Sequence, residues 1–132
     1  MDNEVLLTAR QVSKIFGGLA AVSKVDLTLR RGDVIGLIGP NGAGKTTFVN
    51  IITGMLPISA GQVIYRGRDI TGWPAYRVAR LGIARTFQIV KPFLEMSVLD
   101  NVIVGASNRC RSLTEAREKA GEIIDFVGLA EK

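Results

Sequence analysis

The sequence predicts an α/β fold laid out in three parts: an antiparallel β unit, a strand–loop–helix unit and a mainly helical stretch. Three observations predict it. Val25, Leu27 and Leu29 alternate with Lys24, Asp26 and Thr28, the period of a strand with one buried face. The apolar run Val34-Ile35-Gly36-Leu37-Ile38 leads into a glycine-rich segment, Gly39 to Gly44, and then into a helical pattern. Finally, Ser97-Val98-Leu99-Asp100 and Ser112-Leu113-Thr114-Glu115 both fit S-x-x-D/E, a helix-start pattern.

In chain order, Leu6 to Val12 mixes apolar and polar residues as a half-buried strand does, and Phe16-Gly17-Gly18 is a turn. Ala21 to Leu29 is a second strand, and Arg31-Gly32-Asp33 is the next turn, so the two strands suit an antiparallel pair. Val34 to Ile38 is apolar on both faces, as buried parallel strands are. Lys45 to Ile52 reads as a helix with Gly54 at its C-terminal cap. Gln62 to Tyr65 is a short strand, and Pro74 opens a helix running to about Arg80. Ile83 to Phe87 is a further strand candidate. In the last helix Ala116, Ala120, Ile123, Ile124 and Val127 recur at helical spacing, and Gly128 is placed to end it.

At 132 residues, with 47% hydrophobic and 22% charged residues, the chain is long enough for one globular domain. The acidic start, Met1-Asp2-Asn3-Glu4, lacks the apolar core of a secretion signal. No histidine is present, which removes His-based catalysis and His-ligated metals. The single cysteine, Cys110, has no internal partner, and a reducing, cytosolic compartment is expected. A net charge of +5 suits an anionic partner, but 6% aromatic residues supply no base-stacking platform, so no nucleic acid is expected.

Gly39-Pro40-Asn41-Gly42-Ala43-Gly44-Lys45-Thr46 matches G-x-x-x-x-G-K-[ST]. Glycines let the backbone curl so that several N–H groups face one anion, and the following helix adds its positive end. Lys45 is expected to reach the β- and γ-phosphates, and Thr46 to place its hydroxyl on Mg²⁺. A bound nucleoside triphosphate is therefore expected. The pattern alone leaves a GTPase, a small-molecule kinase and an ATPase open. The N-K-x-D of small GTPases is absent, and the three D-x-x-G matches, starting at Asp33, Asp69 and Asp125, read as turns.

Phe16-Gly17-Gly18 lies upstream of this loop, and Ala84-Arg85-Thr86-Phe87-Gln88 lies downstream. With Gly39 to Thr47, this ordered set resembles the ATP-binding subunits of ATP-binding cassette (ABC) transporters. "KIFGGLAAV", "GIARTFQ" and "FLEMSVLDNVIVG" look most similar to the branched-chain amino-acid importer subunits of the LivG type. The resemblance covers essentially the whole chain. It implies a P-loop NTPase core with an N-terminal antiparallel β subdomain, about 1–88, and the start of a helical subdomain, about 89–132.

The resemblance also implies roles. Phe16 aligns with the aromatic that stacks on adenine, though by itself it reads as a core or turn residue. Gly39, Pro40, Asn41, Gly42, Ala43, Gly44, Lys45, Thr46 and Thr47 align with the phosphate loop. Gln88 aligns with the glutamine that reaches Mg²⁺ and the attacking water; alone it reads as surface. Val90 to Val98 aligns with the contact for a helix of the transmembrane permease, and reads equally as packing between lobes. The implied cofactors are ATP and Mg²⁺. The implied partners are permease subunits and a second ATPase subunit paired head-to-tail, on the cytoplasmic face of the inner or plasma membrane.

Three family elements are missing: the apolar run ending in Asp-Glu, the L-S-G-G-Q-like signature and the switch histidine. The chain is therefore expected to be the truncated N-terminal portion of a longer subunit, inactive in hydrolysis by itself. A nucleotide-binding fragment without hydrolysis and a soluble, non-transport ABC ATPase are the alternatives.

Overall fold

Alternating apolar residues make β1 (Val5–Phe16) and β2 (Leu19–Arg30), joined by a tight turn at Gly17-Gly18 into the expected antiparallel hairpin. The computed structural model describes residues 4–130. Met1 to Asn3, read above as part of the acidic start, and residues 131–132 lie outside them. The hairpin register shifts at four places, among them a bulge at Gln11 in β1 and one at Lys24 in β2. In β1 the buried positions run Leu7 and Ala9, then Val12 and Lys14; in β2 they run Val22, then the half-buried Val25, Leu27 and Leu29. Gln11 and Lys24, with φ of 47° and 46°, mark the change of parity. An extra residue at each bulge keeps one face buried on both sides of it. Side chains take over the ladder bonds lost there: the Gln11 N–H donates to Asp26 Oδ1 at 2.8 Å, and the Lys24 N–H to Ser13 Oγ at 2.8 Å.

β3 (Ala60–Tyr65) pairs with β1, and β4 (Arg68–Asp69) with β3, giving a four-stranded sheet in the order β2-β1-β3-β4. α1 (Lys45–Ile52) packs against β1 and β2. Its Phe48 and Ile51 are buried, as are Val12 and Val63 of the sheet and Val78 of α2 (Ala75–Arg80). α1 has the predicted bounds, and Gly54 follows its C-cap with φ 74°. Pro74 is the N-cap of α2 rather than its first residue. Lys14 is buried, and its ammonium donates to the Pro57 carbonyl at 2.6 Å. At the open end of the hairpin, the Arg31 guanidinium bonds Glu4 Oε2 at 2.6 Å and holds that carboxyl below its ordinary value.

Residues 4–81 form one compact unit, and a second begins at Gly82. The second holds α3 (Val98–Ser107) and α4 (Leu113–Phe126). Both start at the predicted serines: Ser97 Oγ accepts the Asp100 N–H at 3.1 Å, and Ser112 Oγ the Glu115 N–H at 3.2 Å. Ile103 of α3 packs with Ala116 and Ala120 of α4, whose small side chains let the helices approach closely. Ile123 and Val127 share the helical spacing but remain exposed.

Two expected strands do not form. Val34 to Ile38 and Ile83 to Phe87 have no regular structure, and Val34 and Ile38 are each 98% exposed. A parallel strand is held by ladders to its neighbours. Among the described residues every strand pair is antiparallel, and none includes these segments.

Two outcomes follow from this architecture. The 132-residue chain should self-associate, because Val34 to Ile38 offers an unpaired apolar segment. Concentration-dependent light scattering should fall in Val34→Lys, and a monomeric, cooperative unfolding transition at high temperature would contradict the expectation. Ser112→Ala should cost the α3–α4 pair about 1 kcal/mol in urea denaturation.

Candidate nucleotide-binding site

The glycine-rich loop leaves Ile38 and turns back on itself, with the Ala43 N–H donating to the Pro40 carbonyl at 3.1 Å. Gly42 and Gly44 have φ of 83° and 84°, in the left-handed region that favours glycine. Gly44 is the N-cap of α1, and no side chain caps that helix start. No acidic residue lies in its first turn either. The helix therefore presents its N-terminal N–H groups and its positive end without an internal anion to neutralise them.

Lys45 is half-buried, and its ammonium donates to the Gly39 carbonyl and, at 2.8 Å, to the Pro40 carbonyl. The cation thus lies against the loop's own carbonyls. Thr46 is exposed in the first helical turn, Thr47 is half-buried, and Asn41, Gly42 and Ala43 are exposed.

A cleft of about 400 Å³ adjoins the loop. Ala43, Gly44 and Lys45 form one side of it, and Ala20 to Ser23 of β2 form another. Among the described residues no acidic side chain lines it. The β2 wall is the part that sequence reasoning missed, because small residues in an alternating strand carry no chemical signature. The wall is also what fixes the loop. A Cβ on Gly44 would overlap the Ala21 carbonyl oxygen and come within 3.3 Å of Val22 Cγ2.

Phe16 ends β1 at the hairpin tip, half-exposed, with Lys14 Nζ 5.1 Å from its ring centroid. It does not line the cleft, but the adjacent Ile15 is the register partner of Ala20, which does. Gln88 belongs to the second unit, exposed in an irregular stretch. The segment after it is apolar and exposed, with Phe93 at 56% and Leu94 at 85%. Arginines elsewhere lie on rings: Arg68 and Arg77 are 4.5 Å and 3.9 Å from the Trp73 centroid, and Arg85 is 4.5 Å from that of Phe87. Among the described residues no helix is long and apolar enough to cross a membrane, and no three His, Cys, Asp or Glu residues group as metal ligands.

Gly44→Ala should lose about 2 kcal/mol from backbone strain and its overlap with β2, and should also abolish nucleotide binding. Gly42→Ala, with the same φ and nothing within 4 Å, should lose about half as much. Urea denaturation of the two variants checks the contrast.

The family profile of ABC transporters matches residues 22–132. The chain is 38% identical to the "Probable branched-chain amino acid transport ATP-binding protein LivG" of Archaeoglobus fulgidus, over 94% of this chain and 53% of that protein. It is 36% identical to the high-affinity branched-chain amino acid transport ATP-binding protein LivG of Salmonella typhimurium, over 98% of this chain and 56% of that one. The chain thus spans about half the length of these relatives. A solved ADP conformation of an ATP-binding cassette of an ABC transporter superposes with a TM-score of 0.81 at 34% identity, over 96% of this chain and 55% of the other. With the phosphate loop seated on α1 and the match extending from Val22 through both helices of the second unit, the chain belongs to the ABC transporter family.

Proposed function

We propose that this chain is the nucleotide-binding portion of an ABC transporter ATPase subunit that energises import of branched-chain amino acids. The observation that carries the proposal is the uncapped, acid-free N-terminus of α1 beside an open cleft. The phosphates of ATP sit on the backbone of Gly39 to Gly44 and on the first turn of α1, through Thr47. Lys45 exchanges the Gly39 and Pro40 carbonyls for phosphate oxygens. A nucleotide triphosphate is the better partner for that ammonium, because a hydrogen bond between two charged groups is the stronger kind. Mg²⁺ needs few protein ligands when phosphates supply the rest. Thr46, exposed in the first turn, supplies one hydroxyl, and Gln88 supplies an amide oxygen and orients water. Phe16 takes the adenine ring.

The relatives' names support the branched-chain amino-acid assignment, and the family supports permease subunits and a second, head-to-tail ATPase subunit as partners. The exposed segment from Val90 to Val98 is proposed as the permease contact, and the proposed location is peripheral, on the cytoplasmic face of the inner or plasma membrane. The functional boundary between core and helical subdomain lies near residue 88.

A second reading concerns these 132 residues taken alone: they bind Mg-ATP and do not hydrolyse it. It is favoured by the cleft's lack of any carboxylate to position water. Calorimetric titration with Mg-ATP should show binding that Lys45→Ala weakens about 10- to 100-fold, the loss expected for one charge-assisted contact. Absence of binding, or binding indifferent to Lys45→Ala, contradicts the site. Turnover by this chain contradicts the second reading.

A further inference from the structure

The apolar segment after Gln88 lacks regular structure, yet one side chain organises its end. Asn101, on the first turns of α3, reaches back across Ser97. Its Oδ1 accepts the Phe93 N–H at 2.8 Å, and its Nδ2 donates to the carbonyls of Phe93 at 3.1 Å, Met96 at 3.3 Å and Ser97 at 3.0 Å. The Met96 N–H also donates to the Phe93 carbonyl at 3.1 Å, closing a turn over Phe93-Leu94-Glu95-Met96. The amide thus pairs with Phe93 in both directions, as a β-ladder residue would, while tying the turn to the helix. An amide supplies both the acceptor and two N–H donors, so one hydrogen is shared between two of the three carbonyls. The turn so held presents Leu94 at 85% exposure and Phe93 at 56%.

We propose that Asn101 is a positioning residue that shapes the Phe93–Met96 turn into a preformed apolar knob for the permease helix. The inference rests on the reading of Val90 to Val98 as the permease contact. Its physical content is preorganisation. A free loop must lose backbone entropy when a partner docks, whereas this turn has already lost it in the folded chain. Asn101 acts through the turn that carries Phe93 and Leu94. An aspartate in its place would still accept the Phe93 N–H but could donate to none of the three carbonyls, so the carboxylate variant should keep that one bond and lose the other ties of the turn.

The test uses the full-length subunit and its permease in nanodiscs, with four variants measured for permease affinity and for amide exchange. Asn101→Ala should free the Phe93 amide to exchange at least tenfold faster, Asn101→Asp should leave that amide protected, and both should weaken permease binding about tenfold. Ser112→Ala, which removes the α4 cap but leaves the Phe93–Met96 turn and the Asn101 amide in place, should destabilise the helix pair without either effect. That contrast separates positioning from a general loss of helix stability. Leu94→Asp, at a solvent-facing side chain, tests the docking reading itself. If Leu94→Asp weakens binding and the Asn101 variants do not, the positioning role is overturned while the docking contact stands. If Leu94→Asp leaves binding unchanged, the docking contact fails, and the positioning role fails with it. Equal losses in Ser112→Ala and Asn101→Ala would also overturn the proposal.

Discussion

The backbone of β2 passes so close to the start of α1 that a side chain on Gly44 would occupy the place of the Ala21 carbonyl oxygen. Much of the first unit depends on this approach. It sets the helix N-terminus against the sheet, and the next helical turn then carries Phe48 into the interior. It also makes the cleft, since a loop held off the sheet by a Cβ would have no β2 wall beside it. The glycine has two physical jobs at once: a left-handed φ of 84° and a backbone-to-backbone contact. A side chain could be accommodated in one of them at some strain, but not in both.

The hairpin that supplies the wall is irregular, and the irregularity is compensated locally. At two of the four register shifts a released backbone N–H is accepted by a neighbouring polar side chain, Asp26 for Gln11 and Ser13 for Lys24. Because the bulges at these two residues change parity, each strand keeps buried or half-buried positions on one face on both sides of its bulge. Charge is handled in a comparable way. Lys14 enters the interior only because the Pro57 carbonyl meets it, and several guanidiniums rest on aromatic faces rather than on carboxylates. A surplus of positive charge thus coexists with a cleft whose cation, Lys45, leans on the backbone carbonyls of Gly39 and Pro40.

The second unit rests on end effects. Two serine caps start its helices, two alanines let them approach, and one asparagine converts the preceding irregular stretch into a defined turn. The apolar side chains left outside that small interior, Phe126, Leu94 and Ile89 the most exposed of them, are too large and too exposed to be explained by the unit's own packing.

The sequence by itself determined the features that depend on local rules: the hairpin's alternation, the span of α1, the two serine-capped helix starts, and a glycine-rich loop that leads into α1. Each is set by residues within a few positions of one another. The tertiary structure decided the rest. Val34 to Ile38 has the composition of a buried strand, but a strand is a relation between segments, and no described segment pairs with it. Ala20 to Ser23 become a cleft wall only because α1 starts beside them. Lys14 reads as a surface charge until the Pro57 carbonyl, 43 positions along the chain, appears above it. Asn101 reads as an ordinary helical residue until its amide meets Phe93 eight positions back. In each case the deciding partner is backbone, which carries no identity in the sequence, so only the folded path of the chain shows where it lies.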